Sequence, residues 1–201
     1  MVMDKPTPQA RRLAQTRSEI IKNARQIIVE QGIEGLSVRA LADRIDYTAG
    51  ALYKYFDSKD DLIDAVRAEA FERLNSFIAT RIQPTGSAAD MLLNGGLAYI
   101  EYAGQHPQEY HLMFGMEPSK ATSGEQRDIA MRSLLQIVEF GLMQGEFVAQ
   151  DAYDASAISY HCWATVHGIA SLQTTILLDE RDDLLPLSRV MLQKVIDGFT
   201  A

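Results

Sequence analysis

Tyr53, Lys54 and Tyr55 stand side by side just after Gly50, and Lys59 follows at the start of the next helical pattern. Phenolic hydroxyls can donate to phosphate oxygens, tyrosine rings can rest on thymine methyls, and ammonium groups neutralise phosphate charge. A glycine lets a helix backbone lie against a duplex. The run Thr48-Ala-Gly-Ala-Leu-Tyr-Lys-Tyr-Phe56, followed by Asp57-Ser-Lys59, therefore carries the chemistry of a DNA recognition helix. The competing reading makes Tyr53 and Tyr55 half-buried packing residues. Leu52 and Phe56 read as core.

Other chemistries find little support. His106 and His111 are five residues apart, His161 and His167 six, and neither spacing aligns on a helix face, so no metal site is expected. No HExxH, GxSxG or phosphate-cradling glycine loop occurs, and neither a catalytic set nor a cofactor is expected. The single cysteine, Cys162, excludes an intrachain disulfide and suits a reducing cytoplasm. The first residues lack the apolar stretch of a secretory signal. Residues 155–178 carry no formal charge over 24 positions, long enough to cross a bilayer. Ser156, Ser159, His161, Thr165, His167, Ser171, Gln173, Thr174 and Thr175 would be costly in lipid, so the segment reads as a helix buried in protein.

The elements that position these residues follow from periodicity. Residues 1–15, with Pro6, Pro8, Arg11 and Arg12, read as a flexible basic arm that could reach phosphates or a minor groove, with help from Arg17. A first helix over 16–31 has Ile20, Ile21, Ala24, Ile27 and Ile28 on one face, closed by Gly32. Ser37 caps a second, Asp46-Tyr47 form a turn, and Thr48–Tyr55 make a third. Ser58 caps a long fourth helix to about Arg81. The rest is helical as well: 87–104, 107–114, a loop over 115–124, then about 124–144, 151–178 and 187–199, with 179–186 an acidic turn. The predicted fold is all-α. A three-helix helix-turn-helix head over 16–66 is joined by the fourth helix to a helical bundle over 67–201 that binds ligand and dimerises.

Charge supports the division. Residues 1–59 hold ten Lys/Arg against seven Asp/Glu, net +3; residues 60–201 hold nine against twenty, net −11. A basic head on an acidic body is the footprint of a DNA-binding module carried by something else.

The ordered run Ser37-Val-Arg-Ala-Leu-Ala-Asp-Arg-Ile45, Thr48 to Phe56 and Ser58-Lys-Asp-Asp-Leu62 resembles the TetR family of transcriptional regulators. The resemblance implies DNA contacts from Gly50, Tyr53, Lys54 and Tyr55 on the recognition helix, from Lys59 at the next helix start, and from Ser37, Arg39, Tyr47 and Thr48 at flanking phosphates. Asp46 stands where that family usually has a turn glycine, and aspartate tolerates the left-handed backbone such a turn needs. Ala49 replaces a usual polar or basic residue.

In the body, His106-Pro-Gln-Glu-Tyr-His-Leu-Met-Phe-Gly115 and Trp163-Ala-Thr-Val-His-Gly168 resemble the C-terminal domain of the TetR subgroup named for its Trp-His-Gly motif. Tyr99, Tyr102, His106, Met113, Phe114, Met116, Trp163 and His167 are candidate walls of a pocket for a small, mostly apolar molecule, with ordinary core packing as the plainer reading of each. The helices over 151–178 and 187–199 are candidate faces of a homodimer. Small residues such as Ala164 and Gly168 allow close approach, and Val190, Met191, Val195, Ile196 and Phe199 form an apolar stripe. The expected protein is a cytoplasmic, homodimeric repressor released from a palindromic operator by its ligand. The alternative is a helical small-molecule binder without sequence-specific DNA binding.

Overall fold

A computed structural model describes residues 7–115, 123–178 and 181–201. Among these residues there is no strand, only the isolated bridges Phe147–Thr200 and Gln150–Tyr153. The helices are α1 (Pro8–Gln31), α2 (Val38–Arg44), α3 (Ala49–Leu52), α4 (Lys59–Arg81), α5 (Ala88–Gln105), α6 (Pro107–Phe114), α7 (Ser123–Met143), α8 (Ala155–Thr175) and α9 (Arg181–Asp197). The all-α expectation is met. No described helix is long and apolar enough to cross a membrane.

Helix starts are written in the sequence as hydroxyl or carboxylate caps. The side chains of Ser37, Thr48, Ser58, Ser87 and Asp154 accept hydrogen bonds from the backbone N–H three residues on, at 2.9–3.2 Å. Each satisfies an orphan donor and contributes about 1 kcal/mol. Gly32 closes α1 at φ 73°, ψ 174°, a backbone region open only to glycine, and donates to Ile28 O at 2.8 Å.

Four boundaries differ from expectation, and one is the helix read over 151–178, which runs only from Ala155 to Thr175, capped by Asp154 after the Gln150–Tyr153 bridge. The residues read as a flexible arm are helical from Pro8, because Thr7 caps the helix (Ala10 N–H to Thr7 Oγ1, 3.2 Å) and proline suits the first helical position. These first two turns run beyond the head's core and stay exposed, which is why they show no apolar periodicity. The third helix keeps α geometry only to Leu52. The bonds Lys54 N to Ala51 O (3.3 Å) and Tyr55 N to Leu52 O (2.9 Å) tighten its last turn to three residues. The last helix begins at Arg181 and carries Pro186 within it, where the sequence suggested a turn. The 115–124 loop and Met116 lie largely or wholly outside the described residues.

Two apolar cores form. The first joins Ile20, Ala24, Ile28, Leu36, Leu41, Leu52, Phe56, Leu62 and Val66 from α1–α4, and Leu112 of α6 is inserted into it. The second gathers Phe71 and Leu74 of α4 with residues of α5 to α9. α4 thus crosses from one core to the other.

Candidate nucleic-acid interface and effector cavity

The head presents its polar residues on one surface because its apolar ones are used up inside. Leu52 and Phe56 are buried, which leaves Tyr53 and Lys54 facing solvent at the end of α3. Tyr53 is 53% exposed and Tyr47 40%, whereas Tyr55 is half-buried against the head core. Gly50 is exposed, with open space where a Cβ would stand. Ser37, Arg39, Thr48 and Lys59 are exposed too. Ser37, Thr48 and Ser58 accept helix-cap bonds on their hydroxyl oxygens and keep their O–H protons to donate, so a phosphate reaching those helix starts would meet both a hydroxyl and the remaining backbone N–H groups.

The turn between α2 and α3 depends on Asp46, whose φ of 56° is the left-handed conformation expected there. Tyr47 N–H returns to Ala42 O at 2.9 Å, closing α2. Arg44 grips Glu30 through two bonds of 2.8 and 3.1 Å, fixing α2 against α1. Those bonds hold the Glu30 carboxyl at about 2, far below its usual value. Arg17, read as a possible DNA contact, lies over the Phe56 ring at 4.7 Å.

The body holds a partly open cavity of about 220 Å³. Its wall includes Leu74, Ile78 and Ile82 from the α4 side, Gly95, Gly96 and Tyr99 of α5, Phe114 of α6, Leu134 of α7, Trp163 and Val166 of α8, and Leu192 of α9. One end is aromatic. Phe71 and Phe114 meet edge-on at 5.3 Å, and Phe114 packs on His167 at 4.7 Å. Behind that end, the hydroxyls of Tyr99 and Tyr110 approach His167 Nδ1 at 3.0 and 2.8 Å, and Tyr110 also reaches the His167 carbonyl at 3.3 Å. Burial keeps the His167 ring below its ordinary pKa, hence neutral, and raises both tyrosines. Burial likewise lifts the Cys162 thiol in the wall to about 11, leaving it unreactive at neutral pH.

Comparison with known proteins agrees with this geometry. Residues 20–66 match the family described as bacterial regulatory proteins, tetR family, and residues 92–193 match the tetracyclin repressor-like C-terminal domain. The second match spans half of the chain. The chain belongs to the tetR family. Over 197 residues it is 25% identical to the uncharacterized HTH-type transcriptional regulator Rv0681 of Mycobacterium tuberculosis, covering 92% of this chain and 86% of that one. Over 67 residues it is 33% identical to the HTH-type transcriptional repressor AcnR of Corynebacterium diphtheriae, covering 33% and 35%. A structure of a protein of unknown function from Rhodococcus sp. RHA1 superposes with a TM-score of 0.77 at 25% identity, covering 92% of this chain and 95% of that one. As a tetR-family member the chain is a helix-turn-helix, DNA-binding transcription regulator.

Of the pocket residues expected in this tetR-family body, Tyr99, Phe114 and Trp163 line the cavity. Met113 is buried in the core beside it, and His167 sits behind Tyr99. Tyr102 and His106 pack against each other with centroids 4.5 Å apart and rings tilted by 46°, and Tyr102 belongs to a different feature, the junction between head and body. There Glu109 of α6, 1% exposed, accepts from the Tyr102 hydroxyl at 2.7 Å and from Arg25 of α1 at 3.2 Å, and pairs closely with Arg73 of α4. One carboxylate thereby ties four helices. Burial alone would raise its pKa, but the hydrogen bonds from Tyr102, Arg73 and Arg25 outweigh that and hold it below the ordinary value. Burial also raises the Tyr102 hydroxyl to about 12. Beside it, Arg67 of α4, 2% exposed, pairs with Asp64 at 2.5 Å and donates from Nε to the Leu112 carbonyl at 3.0 Å. Sequence periodicity did not reveal this junction, although Arg67 lies on the same α4 face as Ile63, Ala70 and Leu74. A charge on an apolar stripe requires a buried partner.

The stripe expected on the last helix divides. Ile196 and Phe199 are 3% exposed and pack inside their own chain, Phe199 edge-on to Phe147 at 5.0 Å, so they cannot face a second copy. Sequence periodicity marks an apolar face but not which core it meets. Leu187, Val190 and Met191 of α9, with Tyr160 and Leu172 of α8 and Ile176 just after it, are apolar residues left exposed.

Proposed function

We propose that the chain is a homodimeric, ligand-responsive repressor working in the cytoplasm, released from a palindromic operator when a small, mostly apolar molecule enters the body. The observation that carries this reading is α4. Its first residue, Lys59, is exposed at the head's reading surface, and its later turns supply Phe71, Leu74, Asn75, Ile78 and Ala79 to the cavity wall. A helix that tilts as a rigid body at the cavity also changes the position or direction of its other end, where Lys59 stands. Ligand that fits the cavity better when α4 is displaced therefore favours the head arrangement with the wrong spacing.

Residues 16–66 serve as the DNA-reading unit and 67–201 as the sensing and dimerising unit, and the Trp163-to-Gly168 motif supports reading the body as one of the Trp-His-Gly subgroup. Ser37, Arg39, Tyr47, Thr48 and Lys59 hold phosphates, while Gly50, Tyr53, Lys54 and Tyr55 face the major groove. One head buries too little surface for operator affinity; two heads one helical turn apart read a palindrome. The partner copy is held through the exposed apolar residues of α8 and α9.

Two experiments test this. Lys59→Ala should weaken binding to every duplex and reduce the slope of log K against log salt by about 0.9 for each phosphate it no longer neutralises. An unchanged slope would mean that Lys59 neutralises no phosphate. Leu172→Asp with Ile176→Asp, at positions 46% and 77% exposed, should yield a folded monomer by sedimentation. A dimer that survives both charges places the interface elsewhere.

A further inference from the structure

Arg11 and Arg12 stand on the part of α1 that packs on nothing. From Pro8 to Glu19 the helix is exposed apart from half-buried Thr16, and its first buried side chain is Ile20. At 1.5 Å per residue, about 18 Å of helix projects past the head core. These turns stand ahead of the tetR-family match, which begins at residue 20. They hold without packing because Thr7 caps them, Pro8 suits the first position, and residues 9–15 are Gln, Ala, Arg and Leu, all strong helix formers.

Contacts along α1 give the projection a direction. Toward its C-terminal end, Arg25 reaches Glu109 at 3.2 Å, and a Cβ on Gly32 would touch Gln108 at 3.9 Å, both on α6. Toward its N-terminal end, Arg17 lies over the Phe56 ring at 4.7 Å, and Phe56 directly follows Tyr53-Lys54-Tyr55. The projecting turns therefore leave the head on the side away from α6, beside the reading surface. Arg12 and Arg11 follow Arg17 outward by about 7.5 and 9 Å along the axis.

Charge here is unbalanced. Residues 7–18 hold Arg11, Arg12 and Arg17 and no acid, in a chain of net charge −8. No carboxylate lies within four positions of Arg11 or Arg12, and neither is ion-paired among the described residues. The first turn also lacks an acid, so both cations sit near the positive end of the helix dipole with nothing to offset it. Leu13 is the one large apolar side chain on these turns, too small a patch for a protein partner. Charge complementarity and continuity with the DNA-reading surface both single out phosphate.

We propose that the projecting turns of α1 ride on the DNA backbone flanking each half-site, with Arg11 and Arg12 on its phosphates. This rests on the head reading DNA with α3. A helix about 10 Å across cannot enter a minor groove about 6 Å wide, so these turns hold phosphates and do not read base edges as a flexible arm could. The contact adds affinity and fixes register without sequence preference.

Arg11→Gln with Arg12→Gln removes both charges and keeps helix propensity. Anisotropy titrations of the intact chain against salt test the contact on two probes. One is the best-bound duplex of a set tiled across the DNA flanking its own gene, the other a random-sequence duplex of equal length. On the first, the slope of log K against log salt should fall by up to about 3.6, at about 0.9 per phosphate for two arginines in each of two copies. Arg11→Lys with Arg12→Lys should keep the parent slope. Trimming the preferred duplex to its palindrome should lower the parent's slope toward that of the Gln variant and leave the variant's unchanged. Exchanging A·T for G·C in the flanks should change neither. An unchanged slope in the Gln variant overturns the proposal. So does a parent slope indifferent to trimming, which would put the arginines inside the half-site. A parent preference for A·T flanks that the Gln variant loses would overturn it too, by placing an unwound arm in the minor groove. If no tile is preferred, sequence reading by the head fails, and the slope on the random-sequence duplex still decides whether Arg11 and Arg12 hold phosphates.

Discussion

Glu109→Ala is expected to destabilise the protein by about 2–3 kcal/mol. Removing one member of a fully buried ion pair costs about 3–5 kcal/mol. The lower figure applies because the side chains of Arg25 and Arg73 are 26% and 30% exposed, so water can reach them once the carboxylate is gone. For a chain of this size the melting temperature should fall by about 5–10 °C. Glu109→Gln should cost less, since an amide oxygen still accepts from Tyr102. The pH dependence gives the sign. The Glu109 carboxyl sits below its ordinary value in the folded protein, so its stabilisation is fully present above the usual carboxylate range and is lost as pH falls through the lowered value. The stability gap between the parent protein and Glu109→Gln, open at pH 7, should narrow below about pH 4. Urea melts at pH 7 and at about pH 3 measure both. Equal stability of parent and Glu109→Ala at pH 7 would show that the carboxylate ties nothing together. The same variant should blunt the response of operator binding to effector. Arg25 belongs to the head's first helix, while α6, which holds Glu109, also supplies Phe114 to the cavity wall.

Tyr53→Ala with Lys54→Ala is expected to weaken operator binding about 100-fold at fixed salt. Removing one base-reading or phosphate-binding side chain costs about 1–2 kcal/mol, and a dimer is depleted at both half-sites, so about 3 kcal/mol is a modest total. Both side chains are exposed and outside the head core, so the melting temperature should hold. Anisotropy titration beside a thermal melt separates the two effects. Binding reduced only in parallel with stability would mean that Tyr53 and Lys54 support the fold rather than read DNA.

Which parts were legible in the sequence follows from how local the cause is. Caps at Ser37 and Ser58 act over three residues, and the α1 face of Ile20, Ala24 and Ile27 repeats with the helix. Both could be read directly. Asp46 could be read as left-handed because the family the sequence resembles usually has a glycine at that turn. The first turns of α1 could not, since they bury nothing and leave no periodic trace. In the body, Tyr99, Phe114 and Trp163 stood out by type, but the aliphatic half of the cavity is built from residues that look like any other core, and only tertiary placement distinguishes Ile78, Ile82 and Val166. The glycines Gly95 and Gly96 gain meaning only from what a Cβ would strike. The partition of α9 between its own core and an outward face was illegible for the same reason. Val190 and Ile196 are both aliphatic, yet one is 56% exposed and the other 3%. Glu109 was within reach: it shares a face with Leu112 and Met113, and a carboxylate in that position has to be paired.

Sequence-specific reading by the head is tested most directly by fluorescence anisotropy of the purified protein on duplexes tiled across the DNA flanking its own gene, at two salt concentrations. Saturable binding to one palindromic tile is expected, persisting at the higher salt and reversed by a ligand that changes Trp163 emission. Weak binding to every tile, erased by salt, would contradict sequence-specific reading and leave a helical small-molecule binder in its place.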